Sequence, residues 1–197
     1  MKNSLIRIVF VLAGAALASC GGNILYGRAD EPSIVFTQPL GTTIPGDPTG
    51  TVVTVPQGLV TFTFNIPDVP LTGGSTTSNQ SGFTITTMMR LNESVLTIPP
   101  SYTANFDGLD QVTLTIQSGS NSQTLATYTK NPANPPGKTL VLQAAPNVEL
   151  LDFTTAGGTG GKTITVSVSF TGVLPASNWT ADVDMDLHIR ATAGWSP

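Results

Sequence analysis

"AGGTGGKTITVSVSF", residues 156–170, decides between two quite different folds. Its first eight letters fit the permissive form of the phosphate-binding loop, with Ala156 at the first glycine position and Lys162-Thr163 at the end. Such a loop works only where it opens directly into a helix, whose N-terminus supplies further N–H donors and the dipole. Thr163 leads instead into Ile164-Thr165-Val166-Ser167-Val168-Ser169-Phe170, a strict alternation rich in β-branched residues. That period of two belongs to a strand with one buried and one wet face. No helix N-terminus forms there, so the glycines read as a connection between two antiparallel strands, where glycine tolerates positive φ. Nucleotide is excluded as a partner on the same ground.

The pattern repeats in both directions along the chain. Val60-Thr61-Phe62-Thr63-Phe64-Asn65-Ile66 alternates in the same way. Further strands are expected near 34–38, 51–55, 83–91, 94–98, 111–117, 123–129, 139–144, 147–154 and 179–191. Ser118 to Ser122 reads as a hairpin loop. Prolines punctuate the run, since proline cannot donate to a ladder. No segment after the N-terminal leader carries a helical period. The fold class expected is all-β, an antiparallel β-sandwich of immunoglobulin-like or jelly-roll type with about ten strands. The Cys…Trp…Cys spacing of true immunoglobulin domains is missing, so the subtype stays open.

The first residues give an address. A short basic segment holding Lys2 and Arg7 precedes an apolar run from Ile8 to Leu17, too short to span a bilayer but of signal-peptide length. The run ends in Leu17-Ala18-Ser19-Cys20, and Cys20 is the only cysteine in the chain. This resembles the lipobox of a bacterial lipoprotein precursor. The resemblance implies cleavage of a signal helix before Cys20 and attachment of fatty-acyl chains such as palmitate to it. It also implies a cell-envelope location, with Gly21 rather than aspartate next to the cysteine favouring the outer membrane or cell surface. The corresponding domain plan is a signal peptide over 1–19, a lipid-anchored tether over 20–32 and one β-domain over 33–197.

With Cys20 lipidated, no thiol remains for disulfides or a thiolate metal site. Loss of Lys2 and Arg7 leaves six basic residues against twelve acidic ones, a mature net charge of −6. An acidic chain without clustered Lys/Arg is a poor partner for nucleic acid. The partners expected are the membrane through its lipid and other envelope proteins or glycan. No cofactor is expected.

Three groups of residues carry candidate chemistry. Asp182, Asp184 and Asp186 have the D-x-D-x-D spacing that opens a calcium loop, but Leu187 replaces the glycine needed at position six. On a strand, alternate aspartates stand ~6.6 Å apart, so one ion cannot gather all three. They read as a solvated stripe that blunts edge-to-edge pairing, with a divalent-ion contact as the competing reading. His188 is the only histidine, too few for a zinc site, and no Gly-x-Ser-x-Gly elbow accompanies it. No catalytic residue is therefore assigned. The aromatic residues Trp179, Tyr102 and Trp195 are candidate sugar-stacking positions, set against a core role for Trp179 and a tail role for Trp195. The function expected is non-catalytic, structural or protein-binding. The alternatives are a carbohydrate-binding module and a divalent-ion-dependent adhesin.

Overall fold

Period-two patterning becomes strand after strand in the computed structural model, which describes residues 26–66, 83–156 and 162–195. The strands are β1 (Tyr26–Pro39), β2 (Val52–Ile66), β3 (Phe83–Thr97), β4 (Leu109–Ser118), β5 (Asn121–Thr129), β6 (Thr139–Ala144), β7 (Thr155–Ala156), β8 (Lys162–Val173) and β9 (Asp182–Trp195). All pairings are antiparallel. The sheet runs β1-β9-β3-β6-β5-β4-β8-β2, with short β7 attached to β8. It curls on itself as a half-barrel, so that the chain is all-β as expected, but eight strands form one continuous path.

Two expected breaks are bulges inside long strands. The residues read separately as 51–55 and 60–66 are one strand, β2, whose register slips between Val55 and Val60. Pro56 lies in that slip and Gly58 takes φ +94°. The stretches 83–91 and 94–98 likewise join as β3 across a slip between Leu91 and Glu93. A proline is tolerated inside β2 because, among the described residues, β2 is an edge strand with β8 on one side only. The other edge, β1, has the same device, with Pro32 in a slip between Glu31 and Ile34.

Two boundaries need correction. β1 begins at Tyr26, so residues 26–31, counted with the tether over 20–32, pair with β9. Residues 147–154, expected as a strand, hold a 3-10 turn at Leu150–Phe153. The signal peptide, Cys20 and the connection 157–161 lie outside the described residues, although Thr155↔Thr163 and Ala156↔Lys162 pair on either side of that connection.

The core follows from the alternation. Ile164, Val166, Val168 and Phe170 of β8 point inward with Phe62 and Phe64 of β2, Val183, Met185, Leu187 and Ile189 of β9, and Leu114 and Ile116 of β4. Trp179 plugs one end, its ring edge-on to Phe106 at 5.6 Å and to Phe170 at 5.4 Å. That end is closed by backbone bonds between two loops. Leu40 N donates to Ala181 O, and Ile44 and Trp179 exchange both of their bonds.

Short β6 leaves a gap. It pairs β3 only from Glu93 to Thr97, so among the described residues no strand pairs the N-terminal part of β3 on that side. The 3-10 turn and its leading residues fill the space. Glu149 Oε1 accepts the Met89 N–H at 2.7 Å, as a strand carbonyl would, and also the Leu151 N–H at 3.4 Å.

Candidate functional surfaces

The aspartates of β9 do not lie at an edge. β9 sits between β1 and β3, and its polar side chains are tied to both. Ser33 Oγ donates to Asp186 Oδ1 at 2.7 Å and Thr37 Oγ1 to Asp184 Oδ1 at 2.5 Å. From the other side, Asn92 Nδ2 donates to Asp186 Oδ2 at 3.2 Å. The stripe is therefore a ladder of cross-strand hydrogen bonds, and the expected role of guarding an edge is corrected: the edge beside it is β1. Among the described residues, no group of three His, Asp or Glu side chains is placed to hold a metal ion.

Farther along the same face, His188 Nε2 lies 2.5 Å from Asp30 Oδ1 and Arg190 Nε lies 3.5 Å from Asp30 Oδ2. His188 is thus held in a structural pair with Asp30. Arg90 and Glu93 of β3 stand level with His188 and Asp186. The outer face of β1-β9-β3-β6 is strongly charged.

The outer face of β2-β8-β4-β5 is the opposite. β2 and β5 contain no charged residue, and β4 and β8 contain one each, Asp110 and Lys162, near strand ends. Its positions are threonine, serine and glutamine: Thr61 and Thr63 on β2, Thr165 on β8, Gln111 and Gln117 on β4, and Thr124 on β5 are all exposed. Thr115 and Ser167 pair across its centre and are buried. Val52 and Leu59, 64 % and 67 % exposed, lie along its β2 margin.

A polar groove of about 460 Å³ opens beside the gap left by β6. Its lining combines Ser120, Asn121 and Gln123 with Asn147, Glu149 and Asp152. Asn147 takes a left-handed φ of 64°, which an asparagine accepts more readily than most residues. Its Oδ1 accepts from Arg90 Nη1 at 3.4 Å. Arg90 Nε is buried and has no hydrogen-bond partner among the described residues. Partial burial raises the Glu149 carboxyl above its ordinary range, against the lowering effect of the Met89 and Leu151 N–H groups. The sequence pointed to none of this, because 147–154 reads as a strand and Glu149 has no motif around it.

The aromatic candidates do not converge. Trp179 is fully buried, so its ring offers no face to a sugar, and its Nε1 has no hydrogen-bond partner among the described residues. Tyr102 is half-buried near the same end, with its carbonyl accepting from Lys138 Nζ at 2.5 Å. Trp195 is at the far end of β9, paired in register with Phe83. Thirteen residue steps separate Asp182 from Trp195, about 44 Å of strand. No single ligand stacks on both tryptophans.

Comparison with protein-family models, curated proteins and solved structures gives no match to this chain.

Proposed function

We propose that the mature chain is a non-catalytic, lipid-anchored protein of the bacterial envelope, outer membrane or cell surface, whose role is structural or protein-binding contact. The address is supported by Leu17-Ala18-Ser19-Cys20 behind a basic and apolar leader. The observation that carries the contact role is the asymmetry of the two outer faces. The β2-β8-β4-β5 face holds exposed hydroxyls, amides and two exposed aliphatic side chains, with its two charges, Asp110 and Lys162, near strand ends, so that a neutral partner docking on its centre strips water from no ion. The fold reading that accompanies it is a two-layer sandwich, β1-β9-β3-β6 over β2-β8-β4-β5, hinged where β5 and β6 share two residue pairs. Phe36 of β1 against Phe64 of β2, 5.0 Å between ring centroids, supports that reading.

The test has two parts. Cys20→Ser is expected to release the protein from the membrane fraction or block its processing; a membrane-bound, normally processed variant overturns the address. A photo-crosslinker at Thr63 or Thr165 is expected to capture a defined envelope protein, while one at Asp184 does not. Equal capture from both faces overturns the assignment of the face.

A second reading, carbohydrate binding, is favoured by the groove of Asn121, Gln123 and Asn147, whose amides suit sugar hydroxyls. Binding on a glycan array that is lost in Asn121→Ala/Gln123→Ala supports it, and a blank array removes it. A divalent-ion-dependent adhesin has less support, since Asp184 and Asp186 already accept hydrogen bonds from Thr37, Ser33 and Asn92. Absence of a melting shift in millimolar calcium ends that reading.

A further inference from the structure

We propose that residues 56–59 of β2 form a strap laid across the uncharged β2-β8-β4-β5 face, and that the partner of that face binds when the strap lifts. The inference rests on the contact role proposed for this face and adds how access to it is controlled.

Register shows that the strap is an excursion from its strand. Val55 pairs Phe170 and Val60 pairs Val168, so four residues, Pro56 to Leu59, stand against Ser169 alone. Val55 and Val60 both turn to the core, as Phe170 and Val168 do. One outward residue between them would keep the alternation intact, so three are surplus to the strand.

A side-chain contact gives its direction. Gln57 Nε2 donates to Ser122 Oγ at 3.5 Å, although β8 and β4 lie between their strands. Ser122 pairs Gln117, and Gln117 pairs Thr165, four residues from Ser169 along β8. Three strand spacings of ~4.8 Å and four residue steps of ~3.3 Å are more than a glutamine side chain crosses. The backbone of the excursion therefore leans over the face toward the turn between β4 and β5.

Burial marks the same path. Halfway between Ser169 and Thr165 is Ser167, and its partner on β4 is Thr115. Both point outward, set between the inward Val166 and Val168 and the inward Leu114 and Ile116. Ser167 is nevertheless only 1 % exposed and Thr115 7 %. Thr61 and Thr124, which flank them in the same cross-strand row, are exposed. The covered positions are those beneath the strap.

Little holds it down. The Gln57–Ser122 bond is long, and Pro56, Gln57, Gly58 and Leu59 are all exposed. Gly58, at φ +94°, has open space where a Cβ would stand. A segment with so few buried apolar contacts opens locally at a small fraction of the cost of unfolding. Lifting it joins Thr61, Ser167, Thr115 and Thr124 into one row of hydroxyls across four strands, ~14 Å long. That row suits a neutral, hydrogen-bonding protein surface. Such a partner binds only the open fraction, and its apparent affinity falls by that fraction.

The test places a thiol at the covered position, Ser167→Cys, in the full-length lipidated protein, and reads maleimide attached at 167 by peptide mass. Labelling is expected to be slow with the strap intact, yet faster than global unfolding. Replacing Pro56–Leu59 by one serine is expected to speed it at least about tenfold, and Gln57→Ala, which keeps the loop length, to speed it by less. Equal rates with intact and shortened straps overturn the cover, and labelling no faster than global unfolding overturns the lifting. With a photo-crosslinker at Thr165, the shortened strap is expected to raise the yield of the captured envelope protein severalfold. An unchanged or lower yield overturns the control of access. Capture by neither form, beside the expected labelling ratio, is the failure of the contact role, which the labelling separates from that of the strap.

Discussion

Glu149 shows how one carboxylate can replace a missing strand. Its Oε1 takes the Met89 N–H that β6 is too short to reach. Glu149→Ala leaves that donor unpaired and is expected to cost about 1–3 kcal/mol in urea unfolding, whereas Glu149→Gln, still an acceptor, costs less. The pH dependence has a definite sign. Burial raises the folded-state value above the ordinary 4.5, so between 4.5 and the raised value the folded chain binds more protons than the unfolded one. The protonated carboxyl's contribution is complete below pH 4.5 and falls as pH rises through the folded-state value. The melting temperature of wild type minus that of Glu149→Gln should decline across that window, and a flat difference refutes the assignment. Trp179 is the other decisive residue. Trp179→Ala removes a fully buried indole packed on Phe106 and Phe170 and should cost about 3–5 kcal/mol by chemical denaturation. Trp179→Phe, which also removes the unpaired Nε1 donor, should cost distinctly less.

Among the elements, β8 is central to the half of the sheet that carries the uncharged face, pairing β2 on one side and β4 on the other. Its course past the start of β4 depends on Gly172. At φ 138°, a Cβ there would stand 2.5 Å from Asp110 N and 2.6 Å from Gly108 O. Gly172→Ala combines a disfavoured backbone conformation with a clash against backbone that cannot move aside, and is expected to cost at least about 2 kcal/mol. Loss of midpoint denaturant without a change in slope is the measurement that checks it. On the outer side of the same strand, Thr165→Lys should change stability by less than about 0.5 kcal/mol, because surface substitutions away from special features do little. Its effect is expected on partner capture alone.

For the whole molecule, the question is how a sheet with two free ends avoids pairing with another sheet. β1 and β2 are those ends, and both carry a proline inside a bulge, an arrangement that interrupts a flat hydrogen-bonding edge. The two edges approach one another through Phe36 and Phe64, ring edge to ring face. A double-mutant cycle of Phe36→Leu and Phe64→Leu should give a coupling of about 0.5–1.5 kcal/mol, although the two residues stand on opposite ends of the sheet. Zero coupling would mean that the edges do not meet in solution.

The alternation of 60–66 and 164–170 was enough to establish an all-β chain and to reject the phosphate-loop reading of 156–163, because a period of two directly reports which side chains are buried. The inward residues of β8 and β9 were legible for the same reason. Bulges at 56–59 and 92 were not, since a slip of register leaves the local pattern intact on either side and is decided by the partner strand. The aspartates 182, 184 and 186 carried their spacing openly. That β9 lies between β1 and β3, giving them Ser33, Thr37 and Asn92 as partners, depends on strand order, which no local pattern encodes. Nor could sequence place Glu149 against Met89. Burial along a strand is a local property written in residue order; which strands become neighbours is the outcome of packing the whole chain around one core.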